Sequence, residues 1–210
     1  MFKKILMVAS ICLLASATFS HADTMFTLTS DACTGTCGTA GMVFGTITLS
    51  ETTTGVNVVE NLTSGEHFAV TGAGSPLVFN LDGNFTISGL ETGFSTAGGN
   101  NASAFGNFTN SIECGSPLCS NGGNINNSAG PLTFLVEGAH ISDFVANSNG
   151  YYFASDIRGL NGNTGNVGAL GAIDPPPAVP EPSSLFLLGT GLAGLAGVVR
   201  RRVGSVINRG

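Results

Sequence analysis

Four cysteines, two histidines and twelve carboxylates are the groups of residues 23–178 whose types could do chemistry. The cysteines form two local pairs, Cys33 with Cys37 and Cys114 with Cys119. Four thiolates could hold a zinc ion. The usual zinc spacing places two residues between partners, whereas three and four stand between these, and an oxidising compartment competes for the thiols. Outside the cytoplasm an even set of cysteines defaults to disulfides. Three connectivities are possible, and the local one, Cys33–Cys37 with Cys114–Cys119, is favoured because each pair straddles a turn containing Gly35 or Gly115. Each such short loop stabilises by about 2 kcal/mol.

A hydrolase needs a nucleophile, a base and an orienting acid. Serines are plentiful, but past Ala22 the bases are only His67 and His140. His67 precedes Phe68 on the polar face of an expected strand, and His140 follows Gly138-Ala139 at an expected strand start; both read as surface histidines. No Gly-x-Ser-x-Gly elbow occurs, and the nearest approach, Gly93-Phe94-Ser95-Thr96-Ala97, departs at its last position. No spacing picks out a carboxylate pair for glycoside hydrolysis, and sugar stacking is poorly supplied, with no Trp and only Tyr151 and Tyr152. No Asp-x-Asp-x-Asp-Gly loop offers calcium ligands. Gly72-Ala73-Gly74 lacks the strand-to-helix setting of a phosphate cradle. The sequence therefore assigns no catalytic residue, no metal ligand and no cofactor.

The elements that must position these groups read as strands. Residues 23–178 carry twelve carboxylates against one base, Arg158, a net charge of −11, while the whole chain carries −6. That field repels nucleic acid and anionic lipid surfaces, and solubility outside the cell is its simplest use. Eleven phenylalanines with many Val, Ile and Leu supply a core despite the charge, and twenty-five glycines demand frequent turns. Alternation with period two recurs in place of helical periodicity. One face each is expected for Phe26 and Leu28; Val43, Ile47 and Leu49; Val56 and Val58; Phe68 and Val70; and Leu77, Phe79 and Leu81. Further on come Phe85 and Ile87; Phe108 and Ile112; Leu132, Phe134 and Val136; and Tyr151, Phe153 and Ile157. Nine or more short strands predict an all-β fold, an antiparallel β-sandwich or jelly roll. Asp82-Gly83-Asn84 is expected as a three-residue hairpin loop that sets Leu81 opposite Phe85 and Phe79 opposite Ile87, with Asn84 left-handed. The glycine- and asparagine-rich stretches Ala97 to Ala102 and Ser120 to Gly130 are expected as long surface loops.

Both ends carry instructions about place. Met1-Phe2-Lys3-Lys4 is a basic start and Ile5 to Ala17 an apolar run, and Ser20-His21-Ala22 sets small residues where a signal peptidase reads, so cleavage is expected between Ala22 and Asp23. Cys12 lies within the apolar run and leaves with it. At the other end Val179-Pro180-Glu181-Pro182-Ser183-Ser184 precedes an apolar run, Leu185 to Val199, and then Arg200-Arg201-Arg202. As a helix that run reaches about 22 Å, short of a ~30 Å hydrocarbon core, a gap that neighbouring residues, snorkelling arginines and bilayer thinning can close. The arginines hold the far end on the cytoplasmic side. This order of tripeptide, apolar segment and basic cluster closely resembles the PEP-CTERM sorting signal of Gram-negative bacteria. The resemblance covers about the last thirty residues. It implies that an exosortase-type membrane protease-transpeptidase cuts near Pro180-Glu181-Pro182 and releases or attaches the body outside the cell.

The expected organisation is a signal peptide at 1–22, a secreted β domain at 23–173, a Pro-rich linker with the sorting motif at 174–184, a transmembrane segment at 185–199 and a basic cytoplasmic tail at 200–210. The segments Tyr151 to Ile157 and Gly162 to Ala169 also resemble the end of a recurrent secreted body found with this signal. The expected function is a non-enzymatic surface or matrix protein, with exopolysaccharide as a partner beside signal peptidase, the secretion machinery and the exosortase. The competing class is a secreted hydrolase of unrecognised type.

Overall fold

The computed structural model describes residues 23–71, 74–115, 118–119, 124 and 126–173, together with Thr190, Gly191 and Gly194. The chain divides into two compact units, Met1–Pro175 and Pro176–Gly210. The signal peptide and nearly all of the sorting segment lie outside the described residues.

The first unit is all-β. Its strands run β1 (Thr24–Leu28), β2 (Ser30–Asp31), β3 (Gly45–Thr52), β4 (Gly55–Leu62), β5 (His67–Phe68), β6 (Leu77–Leu81) and β7 (Thr86–Ser88). Then come β8 (Phe94–Asn101), β9 (Asn107–Cys114), β10 (Leu132–Glu137), β11 (Phe144–Val145), β12 (Phe153–Arg158), β13 (Thr164–Ala169) and β14 (Ala172–Ile173). One sheet has the order β14-β1-β3-β4-β10-β7, and the other β2-β13-β12-β6-β9-β8, with β11 added on β6 and β5 on β12. Among the described residues every pairing is antiparallel.

The two sheets close on one core because their apolar alternation points inward on both. Ile47 and Leu49 of β3, Val56 and Val58 of β4, and Leu132, Phe134 and Val136 of β10 face Phe79, Ile112, Phe153 and Ile157 of the second sheet, all buried. Rings bridge the layers: Phe26 meets Phe153 edge-on at 4.9 Å and Phe79 stacks on Phe134 at 5.6 Å. A smaller cluster lies on the outer side of the second sheet, where Phe105, Phe108 and Tyr151 cover Val78 and Ala154. It explains why all five residues of β6 are buried, Val78 and Asn80 with Leu77, Phe79 and Leu81: both of its faces are covered.

β3 and β4 meet through a two-residue loop, with Thr52 paired to Gly55. The Thr52 hydroxyl donates to the Gly55 carbonyl at 2.8 Å. Gly55 sits at φ 148°, and a Cβ there would stand 2.1 Å from the Val136 carbonyl oxygen of β10. A side chain at 55 would push β10 off the sheet.

The structure corrects several sequence expectations. Asp82-Gly83-Asn84 is not a hairpin loop. The flanks of β6 are taken by β9, β12 and β11, so the chain crosses to the other sheet, where β7 pairs with β10 and sets Ile87 opposite Val136. Leu81, Phe85 and Ile87 still share the core, so the face assignment holds while the partner changes. The positive φ, 139°, falls on Gly83 and not on Asn84. Ala97 to Asn101 is strand rather than loop, because β9 supplies a ladder that needs no apolar side chains. Val43 precedes β3 and is 42 % exposed, and its neighbour Phe44 fills the core position instead. Tyr151 packs on Phe105 outside the sandwich, on the opposite side from Phe153. His140 caps a 3₁₀ turn, Ile141–Asp143, one step before β11.

Candidate functional site

Both cysteine pairs form disulfides, Cys33–Cys37 and Cys114–Cys119, in the local connectivity. Asp31, at the end of β2, builds the first of these turns. Its Oδ1 accepts the Cys33 N–H at 2.9 Å, and its Oδ2 accepts those of Cys37 and Gly38 at 2.8 and 3.3 Å. Gly35 and Thr36 take positive φ, 78° and 63°, inside the loop, whereas Gly115 does not. Asp31, Cys33 and Cys37 bring their ligand atoms within 4.8 Å of one another. The two sulfurs are bonded together, so no thiolate remains there for a metal. Mass spectrometry of the exported protein is expected to find two short-range disulfides; a peptide joining the Cys33 and Cys114 regions would overturn the pairing.

The histidines do not come together. His67, half-buried on β5, has its Nδ1 2.8 Å from the Asn127 carbonyl oxygen. His140 is 73 % exposed, its Nδ1 3.6 Å from Glu51 Oε1. Among the described residues no serine hydroxyl is hydrogen-bonded to either ring. Ser95, from the approximate nucleophile elbow, lies exposed in β8.

An open groove of about 560 Å³ runs between the β1–β14 edge and the turn before β11. Phe26, Ile141, Phe144, Val145, Tyr152 and Leu170 are among its walls. It is apolar. Among the described residues its lining holds no histidine and no carboxylate, so it offers shape without acid–base chemistry.

The unusual groups are three buried carboxylates. Glu60 of β4 and Glu66 after it have no exposed surface, and among the described residues none of their four oxygens has a hydrogen-bond partner. Burial pushes Glu60 up from 4.5 to about 8. The Ser155 hydroxyl pulls slightly the other way, but its hydrogen is committed to the Pro76 carbonyl at 2.6 Å. Burial, then the negative charge of Asp31, raises Glu66 to about 7. Asp156 of β12 is raised by burial to about 6, while the backbone N–H and hydroxyl of Thr71 hold it back. Asp156 also fixes the next turn, since a Cβ on Gly74 would stand 2.0 Å from its Oδ2.

Glu60 had a signal in the sequence: it continues the parity of Val56 and Val58 and so had to point inward. Asp156 had none, because Thr71, which holds it, comes from a distant part of the chain, and Glu66 had none, because it lies between β4 and β5 with no alternation to place it.

The sorting residues Pro180, Glu181, Pro182, Arg200, Arg201 and Arg202 lie outside the described residues, as do Ala22 and most of Leu185 to Val199; Asp23 is the first described residue. Among the described residues no helix is long and apolar enough to cross a membrane. Residues 178–202 match the family profile of the PEP-CTERM protein-sorting motif. The chain ends in an exosortase sorting signal. The PEP-CTERM signal marks an exported protein that an exosortase processes, and the match contains the tripeptide, the apolar run and all three arginines. No curated protein and no solved structure matches the chain.

Proposed function

We propose that this protein is a non-enzymatic component of the cell surface or extracellular matrix, held there by association with exopolysaccharide. The observation that carries the reading is the PEP-CTERM signal at 178–202 behind an acidic two-sheet body. A cleaved N-terminal signal would deliver the body to the periplasm, and Leu185 to Val199 would hold it at the inner membrane until the exosortase acts. The body's placement of polar groups supports a structural role. Asp31 organises a turn, Asp156 ties a loop, and Glu113 of β9 accepts from the Ser75 and Ser111 hydroxyls. The apolar groove, without acid or base in its described lining, is shaped for contact more than for turnover.

The test is fractionation of the producing bacterium with and without exopolysaccharide synthesis. The processed body is expected in the matrix fraction of the parent and in the medium of the polysaccharide-free strain. An unchanged distribution overturns the polysaccharide link, and hydrolytic turnover by the purified body overturns the non-enzymatic reading.

A further inference from the structure

Five Asn-x-Ser/Thr triplets stand in the exported body, beginning at Asn61, Asn84, Asn101, Asn107 and Asn126. Such a triplet is the minimal acceptor for an N-linked glycan. All five asparagines are exposed, so exposure does not separate them. Backbone setting does. Asn61 lies inside β4 opposite Thr46, and Asn101 and Asn107 are paired in the β8–β9 ladder with their carboxamides bonded at 2.7 Å. Asn126 sits in a turn, its N–H donating to the Asn124 side chain at 3.0 Å. Asn84 belongs to no strand. It stands in the crossing from β6 to β7, and among the described residues its carboxamide has no hydrogen-bond partner.

The neighbours of Asn84 set it further apart. Asp82 stands two residues before it and Thr86 two after, both exposed and, among the described residues, without a side-chain partner. Two residues before the other asparagines stand Val59, Gly99, Phe105 and Asn124, none of them charged. Residues two apart share a face of an extended backbone. A segment drawn into an extended cleft therefore presents the carboxylate, the carboxamide and the hydroxyl to one wall. A cation there can hold Asp82, and a polar group Thr86, with the reacting group fixed between them. From Asp82 to Thr86 only Phe85 packs against the core, so little contact is lost when the segment is engaged.

We infer that Asn84 is a glycosylation site, with Asp82-Gly83-Asn84-Phe85-Thr86 as the acceptor for an oligosaccharide carried on a polyprenyl diphosphate outside the cytoplasm. The export that the sorting signal marks brings the body to that side. Asn84 Nδ2 attacks the anomeric carbon of the donor. A carbon–nitrogen bond forms, the carbon–oxygen bond to the diphosphate breaks, and the lipid diphosphate leaves with the electron pair. One amide proton passes to a base of the transferase. The glycan then stands two residues before β7, the three-residue strand that ends the first sheet, and shields that edge with hydrated sugar.

The test is mass spectrometry of the body purified from the bacterium that makes it, with fragmentation that places any added mass on one residue. A glycan mass is expected on Asn84 and is expected to vanish in Asn84→Gln. Asp82→Ala is expected to cut occupancy about tenfold, and Asp82→Glu to keep it, because the charge is retained. Thr86→Val is expected to abolish the modification and Thr86→Ser to retain it. An unchanged melting temperature in each variant separates these losses from misfolding. An unmodified Asn84 in the parent overturns the proposal, and so does added mass that survives Asn84→Gln on another asparagine or on a hydroxyl. Occupancy that is unchanged in Asp82→Ala overturns the selection of this triplet by its acid, and the proposal with it. None of these outcomes bears on the sorting signal or the polysaccharide link, which fractionation reads.

Discussion

Replacing Pro180-Glu181-Pro182 by three alanines is expected to leave export intact and to stop the protein at the inner membrane, with full-length chain accumulating and the body facing the periplasm. Export is expected to depend on the first 22 residues, which the substitution does not touch. What changes is the backbone offered to the exosortase. Prolines at 180 and 182 fix φ and supply no N–H, so the parent segment is expected to resist helix and to offer a protease cleft an extended backbone. Alanine is the best helix former, and three in a row beside an apolar run invite helix through the cleavage region. Replacing Arg200-Arg201-Arg202 by serines has a different expected result: the far end is no longer held by charge, and anchoring weakens before any cutting. Cell fractionation with an antibody to the body separates the two. If the alanine variant reaches the surface or medium as efficiently as the parent, the motif is not what directs processing.

The sorting signal was legible because it is linear. Its tripeptide, apolar run and basic cluster act in sequence order, and no tertiary contact is needed to read them. The sandwich was legible for a related reason: alternation records which face of a strand is buried, as at Val56, Val58, Leu132, Phe134 and Val136. Alternation does not record which strand lies beside which. Thus Leu81 and Phe85 were correctly assigned to one core, yet the hairpin between them dissolves into a crossing from one sheet to the other. β8 was misread for the complementary reason. A strand exposed on both faces carries no apolar alternation, and its glycines and asparagines look like loop until β9 is placed beside it. The groove is built from residues near both ends of the body, and no local pattern could announce it.

Stability is expected to fall as pH rises from about 4.5 to about 8, the reverse of ordinary acid denaturation. The reason is the set of carboxylates that the fold buries. In the unfolded chain Glu60 titrates near 4.5, and in the folded one near 8. A raised folded value means that the native state holds the proton more tightly. The favourable contribution is therefore complete below the unfolded value and is lost progressively as pH climbs through the folded one. From Glu60 alone the loss between pH 4.5 and 7 is about 3 kcal/mol, on the order of 10 °C in melting temperature for a domain of this size. Glu66 and Asp156, raised to about 7 and about 6, add slope of the same sign. Glu60→Leu, a change of similar volume in an apolar setting, is expected to raise the melting temperature at pH 7 and to flatten the profile above pH 5. It removes a buried ionisable group without stranding a partner, because among the described residues no hydrogen bond to Glu60 is lost. Thermal melts of the exported body across that pH range check both statements. A parent profile that is flat or rises toward pH 8, or a Glu60→Leu variant that melts lower at pH 7, would mean that the carboxylate has a partner in the folded state.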